Sequence, residues 1–244
     1  EPVMANTNAP FGFSQYSGTG SAPTYEQVQL AISATSSTNP QIFYGDAVAQ
    51  LSTGFICQMG TNSTGDGGTA GAGDFVGVFV GCKYLSVSQK RNTWSNYFPG
   101  IGDVNSAAAV TAYVVTDPNA QFTVQTANSN TTASAVGVSA IGQNIGVAYG
   151  TAPSGSQGTN TNAYGNNNGN VANGLSTAYA DQYTLTTPGG TSATLPFRVI
   201  ALANYTPDGS NPLAGINGND STTAYNRIIV GFNNAAMKSG VIGI

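Results

Sequence analysis

The apolar segments of this chain are short, and Gly, Pro and Asn turns interrupt them, which restricts the possible folds more than any other feature. Within residues 25–34 every second residue from Val28 to Ala34 is apolar, which is typical of a strand with one buried face. Residues 74–84 form a continuous apolar run that predicts a central strand. We recognise no amphipathic helix longer than about ten residues. The pattern therefore predicts a protein built from short strands and turns.

Several other segments carry the same signal. An apolar strand from residue 40 enters a Gly45-Asp46 turn and another strand leaves it, and a second turn is predicted at 117–120. Further strands are predicted at 107–116, 122–126, 183–187, 195–203 and 227–232. The predicted fold class is all-β: a barrel or sandwich of many short, mainly antiparallel strands with long Gly/Asn/Thr-rich loops and an extended N-terminal arm.

The predicted arm is residues 1–24, which show no hydrophobic period. Phe11, Phe13 and Tyr16 stand there among Gly, Pro and Ser, so we expect an extended segment whose aromatic side chains dock onto a surface. A disordered tail is the alternative. Three aromatic residues so close together favour docking, and they are candidate contacts with another subunit.

The remaining residues, 25–244, are expected to form one all-β domain or two β subdomains that share a core, with a seam near 127–150. No sequence repeat is recognisable between the two halves. Long stretches of Gly, Asn, Thr and Ser cannot build a core and are predicted to be surface loops. They are 60–73, 151–174 and 207–223.

Charge is scarce: 7% of the residues are charged, against about a quarter in an ordinary soluble domain, and the net charge is −4. Hydrophobic residues make up 40% of the chain, so it should fold. A surface solvated by amides and hydroxyls offers little charge repulsion, which favours an assembled state. Six Lys and Arg residues and a pI near 4.3 predict no nucleic-acid partner. The chain contains no apolar run of about 18 residues, so no transmembrane helix is predicted.

The sequence argues against an enzyme. It contains no His, the commonest general base and metal ligand, and no nucleophile-elbow, phosphate-loop or dinucleotide motif. The ten acidic residues stand mostly in turn-like places such as Asp46, Asp117 and Asp208, where an Asp usually bonds its own backbone. The oxygen-rich segments 208–211 and 217–220 lack the EF-hand spacing. We expect no catalytic residue, metal or cofactor, and a carboxylate-dependent hydrolase is the remaining catalytic alternative.

The two cysteines, Cys57 and Cys82, both lie in apolar runs and outside any metal-binding pattern. Free cysteines are among the most buried residues, so we expect two buried thiols in neighbouring strands. A disulfide is the alternative, because sequence alone does not give the geometry that a disulfide needs.

One segment concentrates aromatic and cationic residues. Residues 86–104 interrupt the strand pattern and contain Arg91, Trp94, Tyr97 and Phe98, including the single Trp of the chain. Trp, Tyr and Arg dominate binding hot spots, so this segment is the second candidate contact surface. In the alternative interpretation, Trp94 and Phe98 simply cap the core beneath a loop. In a third interpretation, the aromatic side chains of this segment stack on a sugar or a nucleic acid.

Several strand-and-turn segments carry a family resemblance. They are 77–84, 94–100, 112–119, 196–202 and 227–232, and with their surroundings they cover roughly 40–125 and 195–233. The chain resembles the β-rich cement, or decoration, proteins of tailed-bacteriophage capsids, although the 151–174 loop departs from that pattern. The resemblance implies a virion protein that is assembled in the host cytoplasm, lies on the outer capsid surface and contacts the major capsid protein. It also implies a homotrimer.

Two other classes of function stay open. The first is another virion or surface β protein, such as a tail-tube subunit, a fibre or a glycan-binding adhesin. The second is the carboxylate-dependent hydrolase. A tail-tube subunit would form rings or tubes by itself, an adhesin would bind a glycan, and a hydrolase would lose activity when a single acidic residue is replaced.

Overall fold

The computed structural model describes residues 6–18, 27–35, 41–59, 75–129, 131–150, 169–185, 195–203 and 220–236. Within them the chain is almost entirely strands and turns, and no helix reaches seven residues. The predicted all-β class is therefore confirmed. The strands are β1 (Ser14–Ser17), β2 (Gln27–Ile32), β3 (Ala47–Gln50), β4 (Ile56–Gln58), β5 (Phe75–Leu85), β6 (Asn92–Ser95), β7 (Val110–Val115), β8 (Gln121–Ala127), β9 (Asn144–Ala148), β10 (Gly169–Asn170), β11 (Leu175–Ser176), β12 (Tyr179–Asp181), β13 (Phe197–Leu202) and β14 (Arg227–Phe232). The short 3-10 helices are Ile101–Asp103, Val138–Ala140 and Gln182–Thr184.

Ten of these strands close into two five-stranded barrels. In the first barrel the order around the ring is β2-β7-β5-β3-β4, and a parallel bridge between Ala31 and Phe55 brings the start of β4 back to β2. In the second barrel the order is β8-β14-β13-β9-β12, and β12 pairs in parallel with β8. All other neighbours within the two rings are antiparallel. A closed ring with an odd number of strands needs one parallel pair, because antiparallel neighbours alternate in direction.

The two barrels have the same connectivity. We number the five strands of each barrel in chain order. Around both rings the strands then follow one another as first, fifth, fourth, second and third, and the parallel pair joins the first strand to the third. The fourth strand also carries one extra residue opposite the fifth in both barrels, Val80 in β5 and Ile200 in β13. Because a bulge fixes the local register, the barrels correspond residue by residue on these strands. The chain therefore contains the same barrel twice.

The barrel interiors confirm this correspondence. The first interior is lined by buried side chains from all five of its strands, among them Ile32, Val48, Ile56, Phe79 and Val114. The register places the counterparts of the last four in the second interior, at Ile145, Ala180, Val199 and Val230, whereas Ile32 corresponds to the buried Thr126. The second cluster continues onto the outer face of the first barrel, where Ala49 and Phe75 are buried. Burial of this shared apolar surface holds the barrels together.

A single tight turn connects the barrels. Between β7 and β8, the Ala120 amide donates to the Asp117 carbonyl over 2.9 Å, and the Asn119 amide donates to Asp117 Oδ1 over 2.9 Å. This is the turn predicted at 117–120, with Asp bonding its own backbone. Residues 127–150, where a seam was expected, run from the end of β8 through β9 inside the second barrel.

Two strand predictions need correction. Residues 183–187 were expected to form a strand, and 186–187 lie outside the described residues. Gln182–Thr184 is a 3-10 helix, because Asp181 Oδ1 accepts from the Tyr183 amide and the Thr184 hydroxyl donates to the Asp181 carbonyl. Residues 41–44 make only isolated bridges in place of a strand before the Gly45-Asp46 turn. The loop 60–73, the loop residues 151–168 and 207–219, and the C-terminal four residues lie outside the described part of the chain. Residues 169–176 contain the β10–β11 hairpin.

Candidate interaction surfaces

Trp94 forms an exposed aromatic pair on the outer face of the first barrel. It lies on β6 opposite Lys83 of β5, and its ring stacks on Tyr113 of β7 with 5.3 Å between centroids and 19° between planes. Lys83 Nζ lies 5.4 Å from the Trp94 ring centroid, within the range of a cation–π contact. Trp94 is nevertheless 65% exposed. We call Trp94, Tyr113 and Lys83 the aromatic platform.

A glycine makes the platform possible. Tyr113 pairs across the strands with Gly81 of β5, so the two rings meet over a residue that has no side chain. Gly81 has φ +153, in the region that disfavours L side chains, and a Cβ there would lie 3.0 Å from the Ser95 carbonyl oxygen. The absence of a side chain at Gly81 therefore lets the Ser95 carbonyl, next to Trp94, lie close to β5.

The platform borders an open cleft of about 410 Å³. Its lining includes Trp94 and Tyr113 together with the polar residues Gln27 and Asn96. Asn96 already donates from Nδ2 to the Asn173 carbonyl over 2.7 Å, which fixes its orientation. Such a site combines a flat apolar surface with oriented polar groups, the usual composition of a binding hot spot or a ligand cleft.

The other residues of the predicted 91–98 segment separate into surface and core. Arg91 is exposed, and its Nε donates to Gln89 Oε1 over 2.9 Å. Tyr97 is half-buried and stacks on Phe43 at 5.6 Å. Phe98 is fully buried, and its backbone exchanges hydrogen bonds with Ile42 over 2.7 and 3.3 Å. Phe98 therefore caps the first interior, and its side chain is not available to a partner.

The N-terminal arm docks onto the second barrel of its own chain. Phe13 is buried and stacks on Phe197 of β13, with 4.3 Å between centroids. Phe11 is partly buried and lies 5.1 Å from the Arg227 guanidinium. Strand β1 follows and pairs with β8, which leaves Tyr16 56% exposed. Of the three arm aromatics, Tyr16 is the one whose side chain faces solvent.

Side-chain amides hold the beginning of the arm. Gln125 of β8 donates from Nε2 to the Thr7 carbonyl and accepts from the Ala9 amide, both over 2.9 Å. Asn6 donates from Nδ2 to the Asp220 carbonyl over 2.7 Å. Such bonds between polar side chains and an extended backbone satisfy donors and acceptors that the arm could not pair by itself. Residues 6–18 are therefore fastened to the barrel at both ends.

A buried carboxyl group links the first barrel to the β10–β11 hairpin. Asp46 is fully buried, and its Oδ2 accepts from the Phe43 amide and from Gln58 Nε2, both over 2.7 Å. Its Oδ1 accepts from the Ser176 hydroxyl of β11. Desolvation raises the pKa of Asp46 to about 7, although the three hydrogen bonds oppose the rise. The sequence predicted the turn at Asp46, but the partners Gln58 and Ser176 are remote in sequence and carry no local signal.

The two thiols are buried, as expected, and form no disulfide. Their strands β4 and β5 are not adjacent, because β3 lies between them. Cys82 Sγ donates to the Tyr97 carbonyl over 3.4 Å, and burial raises the pKa of this thiol to about 12. A thiol with so high a pKa is unreactive at neutral pH.

The described residues contain no cluster of three or more His, Cys, Asp or Glu side chains placed to bind a metal. No helix in the same part of the chain is long and apolar enough to cross a membrane. Comparisons with known protein families, with curated proteins and with solved structures found no match. The platform and the arm are therefore the features on which a functional proposal can rest.

Proposed function

We propose that this chain is a structural virion protein that binds the outer surface of an icosahedral phage capsid and staples neighbouring major capsid subunits. The aromatic platform carries the proposal. Trp94 is an exposed Trp held rigidly by Tyr113 and Lys83 on a strand face, and preorganised aromatic side chains are efficient anchors because little conformational freedom is lost on binding.

The charge and the scaffold support the same proposal. Few charges oppose close approach of many copies, and the net charge of −4 is small for 244 residues. Two closed barrels provide a rigid body with few free strand edges. Weak contacts repeated over a symmetric shell add by avidity, so a homotrimer with modest contacts per copy suffices to stabilise the shell.

The test is binding to expanded empty shells, measured by cosedimentation and by the rupture temperature of the shells. We expect the wild-type protein to bind and to raise the rupture temperature. Trp94→Ala should weaken binding by about tenfold or more, as for a hot-spot aromatic residue. Val171→Ala, another exposed apolar residue outside the platform, is the matched control and should bind normally. Absence of binding by the wild-type protein would refute the proposal.

The cleft favours one alternative, a glycan-binding surface protein. A sugar ring can stack on Trp94 while the amides of Gln27 and Asn96 bind its hydroxyls. A glycan array with the wild-type protein and the Trp94→Ala variant tests this candidate. Retention of a defined glycan by the wild-type protein alone would favour the alternative over the capsid proposal.

A further inference from the structure

The correspondence of the two barrels reveals an edge that a described strand pairs with in one barrel but not in the other. In the second barrel, β8 pairs with β14 along one edge, and its other edge holds β1 at residues 121–123 and β12 at 126–127. In the first barrel, β2 pairs with β7 along one edge and reaches the β4 segment through Ala31 on the other. No described strand pairs with that other edge at residues 27–29.

The register shows that these two edges are equivalent. Gln27 pairs with Val115 of β7, and Gln121 pairs with Gly231 of β14, at the same distance from the matching bulges. Gln27 and Gln121 are therefore counterparts, with identical side chains. Gln121 Oε1 accepts from the Ser17 hydroxyl of β1 over 3.2 Å, so the edge of β2 offers the same acceptor.

The side chains of β2 are less buried than those of β8, as expected if β2 has no neighbour equivalent to β1. Phe122 and Val124 of β8 are 0% exposed where β1 lies beside them. Their counterparts Val28 and Leu30 lie on the same face of β2 and remain only partly buried, and Leu30 packs against the first interior. The β2 sequence also contains no charge and no Pro, the features that usually protect an exposed edge from pairing.

We propose that the outer edge of β2 pairs with the exposed edge of β1 from a second copy of this chain. In that contact, β8 and β1 of one copy continue antiparallel into β2 and β7 of the next. Strand β1 pairs with β8 along one edge, and among the described strands only β8 contacts it, so in this part of the chain its other edge is open to a partner. Both segments are uncharged, so they can approach without repulsion.

The contact joins two different surfaces, β1 on one copy and β2 on the other, and is therefore heterologous. A heterologous contact closes into a ring when the rotation per subunit allows it. This accounts for a cyclic oligomer such as a trimer from the chain alone, and it does not depend on any shell. Self-association of the chain and its binding to shells are therefore tested by separate experiments, and either one can fail without the other.

The test uses the full chain in sedimentation velocity over a range of concentrations. We expect the wild-type protein to exceed the 24.6 kDa monomer mass. Val28→Lys places a charge beside the free edge of β2. Solvent can reach this charge in the monomer but not when a second strand pairs with the edge, so association should weaken by about tenfold or more. The matched control is Ile200→Lys, which adds the same charge at a 40% exposed bulge in the second barrel and should assemble normally.

Hydrogen exchange on the wild-type protein keeps the test independent of how the variant folds. In both 14–17 and 27–29, the amides that point away from β8 and β7 should gain protection when the protein concentration rises and the oligomer forms. A monomeric wild-type protein at every concentration would overturn the proposal. So would protection, in the monomer, of the 27–29 amides that point away from β7, or a folded Val28→Lys variant that assembles as well as Ile200→Lys.

Discussion

The buried carboxyl of Asp46 should make the protein more stable at mildly acidic pH than at neutral pH. Its pKa is about 7 in the folded protein, because desolvation disfavours the charged form, against 3.8 for an unperturbed Asp. The folded state therefore binds this proton more tightly than the unfolded state does. Stability is gained as pH falls through about 7 and is fully present below about 4.

The magnitude follows from the difference between the two pKa values. Between about pH 4 and 7 the free energy of unfolding should decrease by up to about 1.4 kcal/mol for each pH unit, or about 4 kcal/mol in total. Asp103 acts in the opposite direction but in a lower range, because hydrogen bonds from Ser88 and Ser86 lower its pKa below 3.8. Its contribution is lost only at more acidic pH.

Two substitutions separate the charge of Asp46 from its hydrogen bonds. Asp46→Asn keeps the shape and removes the titration, so the slope between pH 4 and 7 should disappear. Asp46→Ala leaves three buried donors without an acceptor and should cost about 3–6 kcal/mol, at about 1–3 kcal/mol for each donor with incomplete additivity. Asp117→Asn, the same change at the turn between the barrels, is the matched control.

The assay is urea denaturation followed by intrinsic fluorescence at a series of pH values. The measured quantity is the difference in unfolding free energy between the wild-type protein and Asp46→Asn at each pH. A difference that does not change between pH 4 and 7 would refute the reasoning, since it would mean that the carboxyl does not titrate in that range.

Three further outcomes are expected. Phe13→Ala removes a buried stacked ring and should cost about 3–5 kcal/mol in urea denaturation, whereas Tyr16→Ala, at an exposed position, should change stability by less than about 0.5 kcal/mol. Gly81→Ala should cost about 1–3 kcal/mol and reduce the fluorescence signature of the Trp stacking, while Gly137→Ala, at an open site with ordinary φ, should have little effect. Both buried thiols should react with a thiol reagent only as fast as the protein unfolds, so rapid labelling of the native state would contradict their burial.

The strand content was predictable from the sequence because it depends on local periodicity. The alternation in 25–34 is seen in β2, whose residues alternate between exposed and more buried positions, and the apolar run 74–84 is the central strand β5. The failure at 183–187 has a local cause, since Asp181 and Thr184 hydrogen-bond to the nearby backbone and compete with strand pairing. The pattern of apolar residues carries no information about those side-chain hydrogen bonds.

The duplication and the platform were not predictable, because both depend on which strands become neighbours. Lys83 and Tyr113 belong to strands that the sequence indicated, but only the pairing of β5 with β6 and β7 brings them beside Trp94. The two barrels share connectivity and a bulge, and their counterpart residues, such as Phe79 and Val199, are seldom identical. An interior position requires an apolar side chain of suitable volume, and many sequences meet that requirement.

The docked arm has a consequence for the order in which the chain folds during synthesis. Ser14–Ser17 are synthesised about a hundred residues before their partner strand β8. The hydrogen-bond acceptor of the Asn6 side chain, the Asp220 carbonyl, follows it by 214 residues. The first barrel lies between, and it can close before the arm has any place to bind. Residues 6–18 are therefore translated before the first barrel but can dock only after β8 and residues 220–224 have been made.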